Sequence, residues 1–305
     1  MLQIVLASLC LAAPSPDAGV LTSARVLDES SPSDWRRVDP SNTLYLDLPG
    51  GRVVIELAAG FAPAHVENIR TLAREHYFDD LAILRSQDNY VAQWGDPNAD
   101  DRANAGDRAH AKSLGSARTK LPAEFSRPSQ GLAFTKLSDG DVYTREVGWA
   151  DGFPVGRDPG IGQIWLAHCY GIVGAGRNNP ADSSNGAELY VVTGHSPRHL
   201  DRNITAVGRV LQGMELLSSL PRGTGALGFY EKPQQRVPLK RVMLASAISA
   251  ADRTEWEALR TDTPTFQRWV EARRNRREPW FVYPVGHVEL CNVPLPAREL
   301  KKPGH

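Results

Sequence analysis

In the stretch AILRSQDNYVAQWGDP, Arg85 stands after three apolar residues, and Tyr90, Gln93 and Trp94 follow it closely. Strand-like runs seldom bring a cation inward unless something there needs its charge. Arginine suits chemistry that moves no proton, because it stays ionised and offers several donors in one rigid plane. Taken alone, Arg85 would be a snorkelling surface arginine or the partner of Asp88. Tyr90, Tyr190 and Leu200 would each be ordinary core residues.

Other apparent signals fail on context. Gly171, Gly174 and Gly176 in GIVGAGR precede NNPADSSNG rather than a helix, which excludes a dinucleotide loop. His195 and His199 have metal-like spacing but lie in a proline-containing loop without a recognisable third ligand. Neither HSP nor DSSNG forms a nucleophile elbow.

The elements that must position Arg85 are short. The chain has 305 residues, 41 % hydrophobic and 23 % charged, as in ordinary soluble globular proteins. Its 26 glycines and 22 prolines favour turns and short strands over long helices. A formal net charge of zero supplies no general attraction for nucleic acid, so any polyanion contact must come from a local patch. TLYLDLPGGRVVIEL alternates on both sides of a PGG turn and predicts a β-hairpin. PAHVENIRTLAREHYF, with Pro63 at its start, predicts a helix with Val66, Ile69, Ala73 and Tyr77 on one stripe. AELYVVTG, NITAVGRVL and VPLKRVMLASAI read as strands, and GMELLSSL as a short helix. Asn98 to Lys120 has no apolar period and reads as an exposed insertion.

The first residues, MLQIVLASLCLAAPSPDAG, read as a secretory signal with a break after Ala12 or Ala13, although no Lys or Arg precedes the apolar run. That run is too short to span a bilayer. Export is therefore expected, with no membrane insertion once the signal is removed. Cys169 and Cys291 could pair in an oxidising compartment, but sequence sets no distance between them, and two free buried thiols are the favoured reading. RTEWEALRTDTPTFQRWVEARRNRREPW reads as helical, broken at Pro264. Its Arg273, Arg274, Arg276 and Arg277 fit the dipole-favoured end of a helix; contact with an acidic partner is the lesser reading. Trp256, Trp269 and WFVYPVGHVELCNV carry enough apolar surface that residues 253–297 are expected to dock on the core.

Taken in order, the hairpin, the APAHVENIRTL helix and YFDDLAILRSQDNYVAQWGDP resemble the cyclophilin family of peptidyl-prolyl isomerases. SSNGAELYVVTG and PRHLDRNITAVGRVLQGMELL resemble two further runs of that family, and the likeness covers about Thr43 to Ala247. It implies a mainly β fold, a closed antiparallel barrel capped by two helices. The implied organisation is a signal (1–13), a leader (14–42), the isomerase domain (43–248, insertion about 98–165) and a C-terminal extension (249–305). Arg85 then matches the catalytic arginine and Gln93 the pocket glutamine. Tyr90, Val91, Tyr190 and Leu200 match pocket-wall positions. Departures are Leu84 for a histidine, Glu188 for a glutamine, His199 for a tryptophan and Ile204 for a pocket histidine. REVGWADGFPVGRDPGIGQIW has no counterpart and could cover part of the groove.

The resemblance implies isomerisation of X–Pro bonds in exported proline-containing polypeptides, with no cofactor or metal. The alternative is a binding module of the same fold that holds such segments with little turnover, which Leu84, Glu188 and Ile204 favour and Arg85 and Gln93 oppose. The oligomeric state is left open.

Overall fold

A computed structural model describes residues 20–99 and 109–300 of the chain. The expected signal, residues 1–13, lies outside the described residues, as does part of the insertion. Strands β2 (Thr43–Leu48) and β3 (Gly51–Leu57) form the predicted hairpin around Pro49 and Gly50, with Leu44, Leu46, Val53 and Ile55 buried on one face.

These two strands belong to a nine-stranded antiparallel sheet. Its further strands are β4 (Ala82–Ser86), β5 (Val91–Gly95), β11 (Ile172–Ala175), β12 (Leu189–Val192), β13 (Ala206–Gln212), β14 (Val237–Pro238) and β15 (Arg241–Leu244), in the order β14-β4-β5-β12-β11-β13-β3-β2-β15. The two edge strands are neighbours in the chain. Between them the amide of Leu239 donates to Leu81 O and that of Lys240 to Asp47 O, 2.9 and 2.8 Å, so one short segment draws both edges of the sheet together. The sheet is therefore curled like a barrel. Helix α2 (Pro63–Arg74) and the short helix Met214–Ser218 pack on it, burying Val66, Ile69, Leu72 and Leu217.

Helix α2 begins at Pro63 without a capping side chain of its own. Glu124, from KLPAEF, supplies one: its oxygens accept from the amides of Ala64 and His65, both at 2.9 Å. On the same helix buried Asn68 donates to Arg118 O and Asn185 O at 2.9 and 2.8 Å, fixing two loops, the second of which leads through Glu188 into the strand that carries Tyr190.

The insertion differs from expectation. REVGWADGFPVGRDPGIGQIW does not cover the groove: it forms β8 (Glu146–Ala150), β9 (Phe153–Asp158) and β10 (Gln163–Leu166). With the two-residue strands β6 (Arg127–Pro128) and β7 (Thr135–Lys136), these make a separate five-stranded sheet. That sheet shares a second core with the C-terminal helix Pro264–Arg274, where Trp149 meets Phe266 edge to face at 4.9 Å.

The stretch read as one broken helix is a helix only from Pro264; before it lies a strand. Glu255–Leu259 (β16) lies between β1 (Trp35–Arg37) and β17 (Ala297–Leu300), and pairing on both edges outweighs the helical preference of EWEAL. Trp35, in the stretch read as a leader, thus belongs to β1. Trp256 and Trp269 are buried, as expected of a docked tail, but Trp280 to Val285 are not. The favoured reading of two free thiols is also overturned: Cys169 and Cys291 form a disulfide, their Cα atoms 5.0 Å apart. The folded chain brings together two residues 122 positions apart, a proximity no local pattern encodes.

Three strands from two sheets meet at Glu56. Its carboxylate accepts from Arg36 at 2.6 Å and from Arg209 at 3.0 Å, so β3, β13 and β1 share one buried charge cluster.

Candidate active site

The sheet register builds the site. Arg85 on β4 lies opposite Gln93 on β5, and Gln93 lies opposite Tyr190 on β12. The register shift between Ile83 and Arg85 re-aims the strand at Leu84, as a bulge does. Buried Leu84 takes no part in the cavity. Tyr190 in turn faces Gly174 on β11, where an added Cβ would sit 2.2 Å from the phenol ring; glycine is what lets that ring lie flat across the next strand.

Arg85 donates from Nε to Leu227 O at 2.7 Å and from one terminal nitrogen to Gln93 Oε1 at 3.0 Å, and also bonds Gln87. Its guanidinium lies 5.4 Å from the Tyr90 ring centre and 5.1 Å from that of Phe229. Gln93 passes the chain on, donating to Glu188. The departure at Glu188 therefore preserves a row of polar contacts, with a carboxylate accepting at its end.

A cavity of about 1070 Å³ opens over this row. Arg85, Gln93, Glu188, Leu200, Ile204 and Phe229 line it. Tyr90, Val91 and Tyr190 are not in its lining; they form a small apolar cluster with Val192 and Ile204, so Ile204 joins the two groups. His199 stacks on Tyr90 with ring centres 6.3 Å apart.

Behind Tyr190 runs a buried polar chain that sequence reading missed. The Tyr190 hydroxyl and His168 Nε2 are 2.9 Å apart, and His168 Nδ1 lies 2.9 Å from Asp201. Asp201 also accepts from Arg198 at 2.5 Å, and Arg198 reaches Asp141 of the insertion at 3.0 Å. Burial works against an ionised Asp201, yet His168 and Arg198 hold its carboxyl below the usual range. The imidazole thus bridges the two, with Nδ1 facing the carboxylate and Nε2 facing the phenol. Burial pushes the Tyr190 phenol well above its usual value, so it stays a donor. No sequence signal marks His168, and Phe229 comes from the irregular loop PRGTGALGFY, which has no apolar period.

Residues 43–244 match the family model described as cyclophilin type peptidyl-prolyl cis-trans isomerase/CLD. The chain belongs to the cyclophilin family. Its reaction is the cis-trans isomerisation of peptidyl-prolyl bonds. Among cyclophilin relatives, a probable peptidyl-prolyl cis-trans isomerase of Brucella suis is 27 % identical over 188 residues, covering 62 % of this chain and 76 % of the relative. The mouse peptidyl-prolyl cis-trans isomerase-like 3 is 24 % identical over 183 residues, covering 60 % and 82 %. The crystal structure of cyclophilin AquaCyp293 from Hirschia baltica superposes with a TM-score of 0.71 at 24 % identity, over 91 % of this chain and 97 % of that one. That overlap extends beyond the family match, so the fold likeness takes in more than the cyclophilin sheet.

The buried chain holds Tyr190, which packs with Ile204 of the cavity wall, so a positioning role for His168 is expected. His168→Ala is expected to raise KM for an X–Pro peptide about 10-fold with a smaller change in kcat. If the effect runs through the phenol, His168→Leu combined with Tyr190→Phe recovers most of the loss, because neither side then keeps an unpaired polar group. Steady-state kinetics of the two variants decide it: equal KM in wild type and His168→Ala would remove the role.

Proposed function

We propose that this cyclophilin turns X–Pro bonds in exported polypeptides, with Arg85 as the electrophilic donor and Gln93 positioning the peptide. Rotation about the bond must break amide resonance, a barrier of ~18–20 kcal/mol. As resonance is lost, the prolyl nitrogen regains a lone pair, and a guanidinium can donate to it only then. That stabilises the twisted amide over either planar form. Leu200, Ile204 and Phe229 offer apolar surface for the proline ring, and no proton needs to be abstracted. The observation that carries this reading is Arg85 held across β4 and β5 from Gln93, 3.0 Å apart, at the wall of a cavity that Leu200, Ile204 and Phe229 also line. The test is acceleration of X–Pro isomerisation in a proline-containing peptide by purified protein; a rate equal to the uncatalysed one would end it.

A second reading has its own observation. Arg85 is already engaged by Leu227 O, Gln93 and Gln87, and Gln93 by Glu188. Turnover then depends on donors of the guanidinium beyond these three contacts, whereas a module that binds proline-rich segments with little turnover does not. The same assay, run beside peptide binding, separates the two.

Export is supported by the apolar N-terminal run and by the disulfide, since disulfides persist in oxidising compartments. The mature chain is expected to begin after Ala12 or Ala13. N-terminal sequencing of protein recovered outside the cytoplasm checks this, and an intact Met1 in a cytoplasmic product would contradict it.

A further inference from the structure

The loop after the C-terminal helix exposes what most loops hide. Trp280 is 82 % exposed, Val282 97 %, Tyr283 77 % and Val285 67 %. Contiguous apolar exposure of this kind marks an interaction site on a soluble protein. The loop is a built projection with both feet fixed. At one foot the Nε–H of Arg274 is shared between the two oxygens of Asp139, at 3.0 and 3.1 Å, a terminal nitrogen donates to the same carboxylate at 2.5 Å, and that carboxylate also accepts from the Val288 amide at 3.0 Å. At the other, Cys291 is tied to Cys169. Within the loop Trp280 and Phe281 meet edge to face at 5.0 Å, and the Phe281 amide donates to Glu278 O at 2.9 Å.

Positive charge flanks the tip. Arg276 and Arg277 make no ion pair among the described residues, and the Arg276 guanidinium lies over Phe281, 5.3 Å from its centre. Glu278, the carboxylate nearest in sequence, has one oxygen buried. Beside the loop is an open recess of about 570 Å³ lined by Arg273, Arg276 and His287, with one carboxylate, Glu289.

We propose that this loop seats the protein on an anionic phospholipid surface. Trp280, Val282, Tyr283 and Val285 enter the interfacial layer, and Arg273, Arg276 and Arg277 meet the lipid phosphates. Three features favour lipid over a protein partner. The apolar residues occupy a tip open to solvent from Val282 to His287 rather than a groove with a shape to match. Trp and Tyr are the residues that bilayer interfaces select. Free arginines adjoin them, and a shallow apolar anchor needs a basic second signal to hold. Each basic residue near such a surface adds about fivefold in affinity. Among the described residues no helix is long and apolar enough to cross a membrane, so the attachment is peripheral.

The test is co-sedimentation of the purified protein with vesicles of equimolar phosphatidylglycerol and phosphatidylcholine, and with phosphatidylcholine alone. The wild type is expected to pellet with the anionic vesicles and to bind neutral ones at least ~10-fold more weakly. Val282→Asp with Tyr283→Asp should cut anionic binding at least ~10-fold. Arg276→Glu with Arg277→Glu should cut it and flatten its salt dependence. Isomerisation of a soluble peptide should be unchanged in both variants, which also shows that they fold. Wild type left in the supernatant with anionic vesicles overturns the proposal, as does a tip variant that binds equally well. Sedimentation velocity closes the remaining route: a wild-type oligomer that Val282→Asp converts to monomer, with no vesicle binding, would assign the tip to contact between copies.

Discussion

Arg85→Ala is expected to lower kcat/KM for X–Pro isomerisation at least ~10²-fold, about 2.7 kcal/mol of transition-state stabilisation. Peptide affinity should fall less, because the donor acts mainly once the amide has twisted. Arg85→Lys should also be poor. The guanidinium spans Leu227 O and Gln93 Oε1 from different nitrogens of one plane, and an ammonium is a single point that cannot hold both and still face substrate. Kinetics of wild type and both variants, with folding checked by circular dichroism, give the answer. An Arg85→Ala enzyme as active as wild type would leave the fold assignment standing and remove the mechanism.

Glu56→Ala is expected to cost about 3–5 kcal/mol of folding stability, since it leaves Arg36 and Arg209 partly or wholly buried without their shared counter-charge. That is a large part of what a domain has to lose. The effect has a pH signature. Burial alone would raise the Glu56 pKa, but Arg209 and Arg36 hold it below the usual carboxylate value. A depressed folded-state pKa gives stability that is full above the unfolded value of ~4.3 and is lost as pH falls through the folded one. Denaturant titrations should therefore show wild type and Glu56→Ala well separated at neutral pH and converging in acid. A constant gap across that range would mean the carboxylate contributes only packing.

The arginine side of the site was legible because its parts are local. Arg85 and Gln93 sit on two strands joined by one turn, so hairpin register sets them opposite each other. Tyr190, Leu200 and Ile204 came only from matching family runs, and the structure splits them: two line the cavity while Tyr190 packs beside it. His168 could not be found, since its role depends on partners at Asp201 and Tyr190 that no periodicity links to it. The insertion was unreadable for a related reason. Its strands are short, and they find their core against a helix more than a hundred residues later in the chain. EWEAL was misread because two neighbouring strands decide its conformation, and neither is local.

The Cys169–Cys291 bond makes a covalent ring of the chain between them. Tyr190, Leu200, Ile204 and Phe229 lie inside that ring; Arg85 and Gln93 lie on the open N-terminal arm. A protease that cuts one peptide bond within the ring opens it without releasing a fragment, so apolar wall and cationic wall stay parts of one molecule. The exposed loop at Trp280–Val285 is inside the ring as well, which makes it a place where such a cut can be tolerated. A cut between Gln93 and Cys169 has no such protection: it divides the covalent chain between the two walls, leaving only packing to keep them together. Where a protease acts on the chain, the consequence is an asymmetric tolerance of damage, visible as a nicked species that runs as one band until reductant is added.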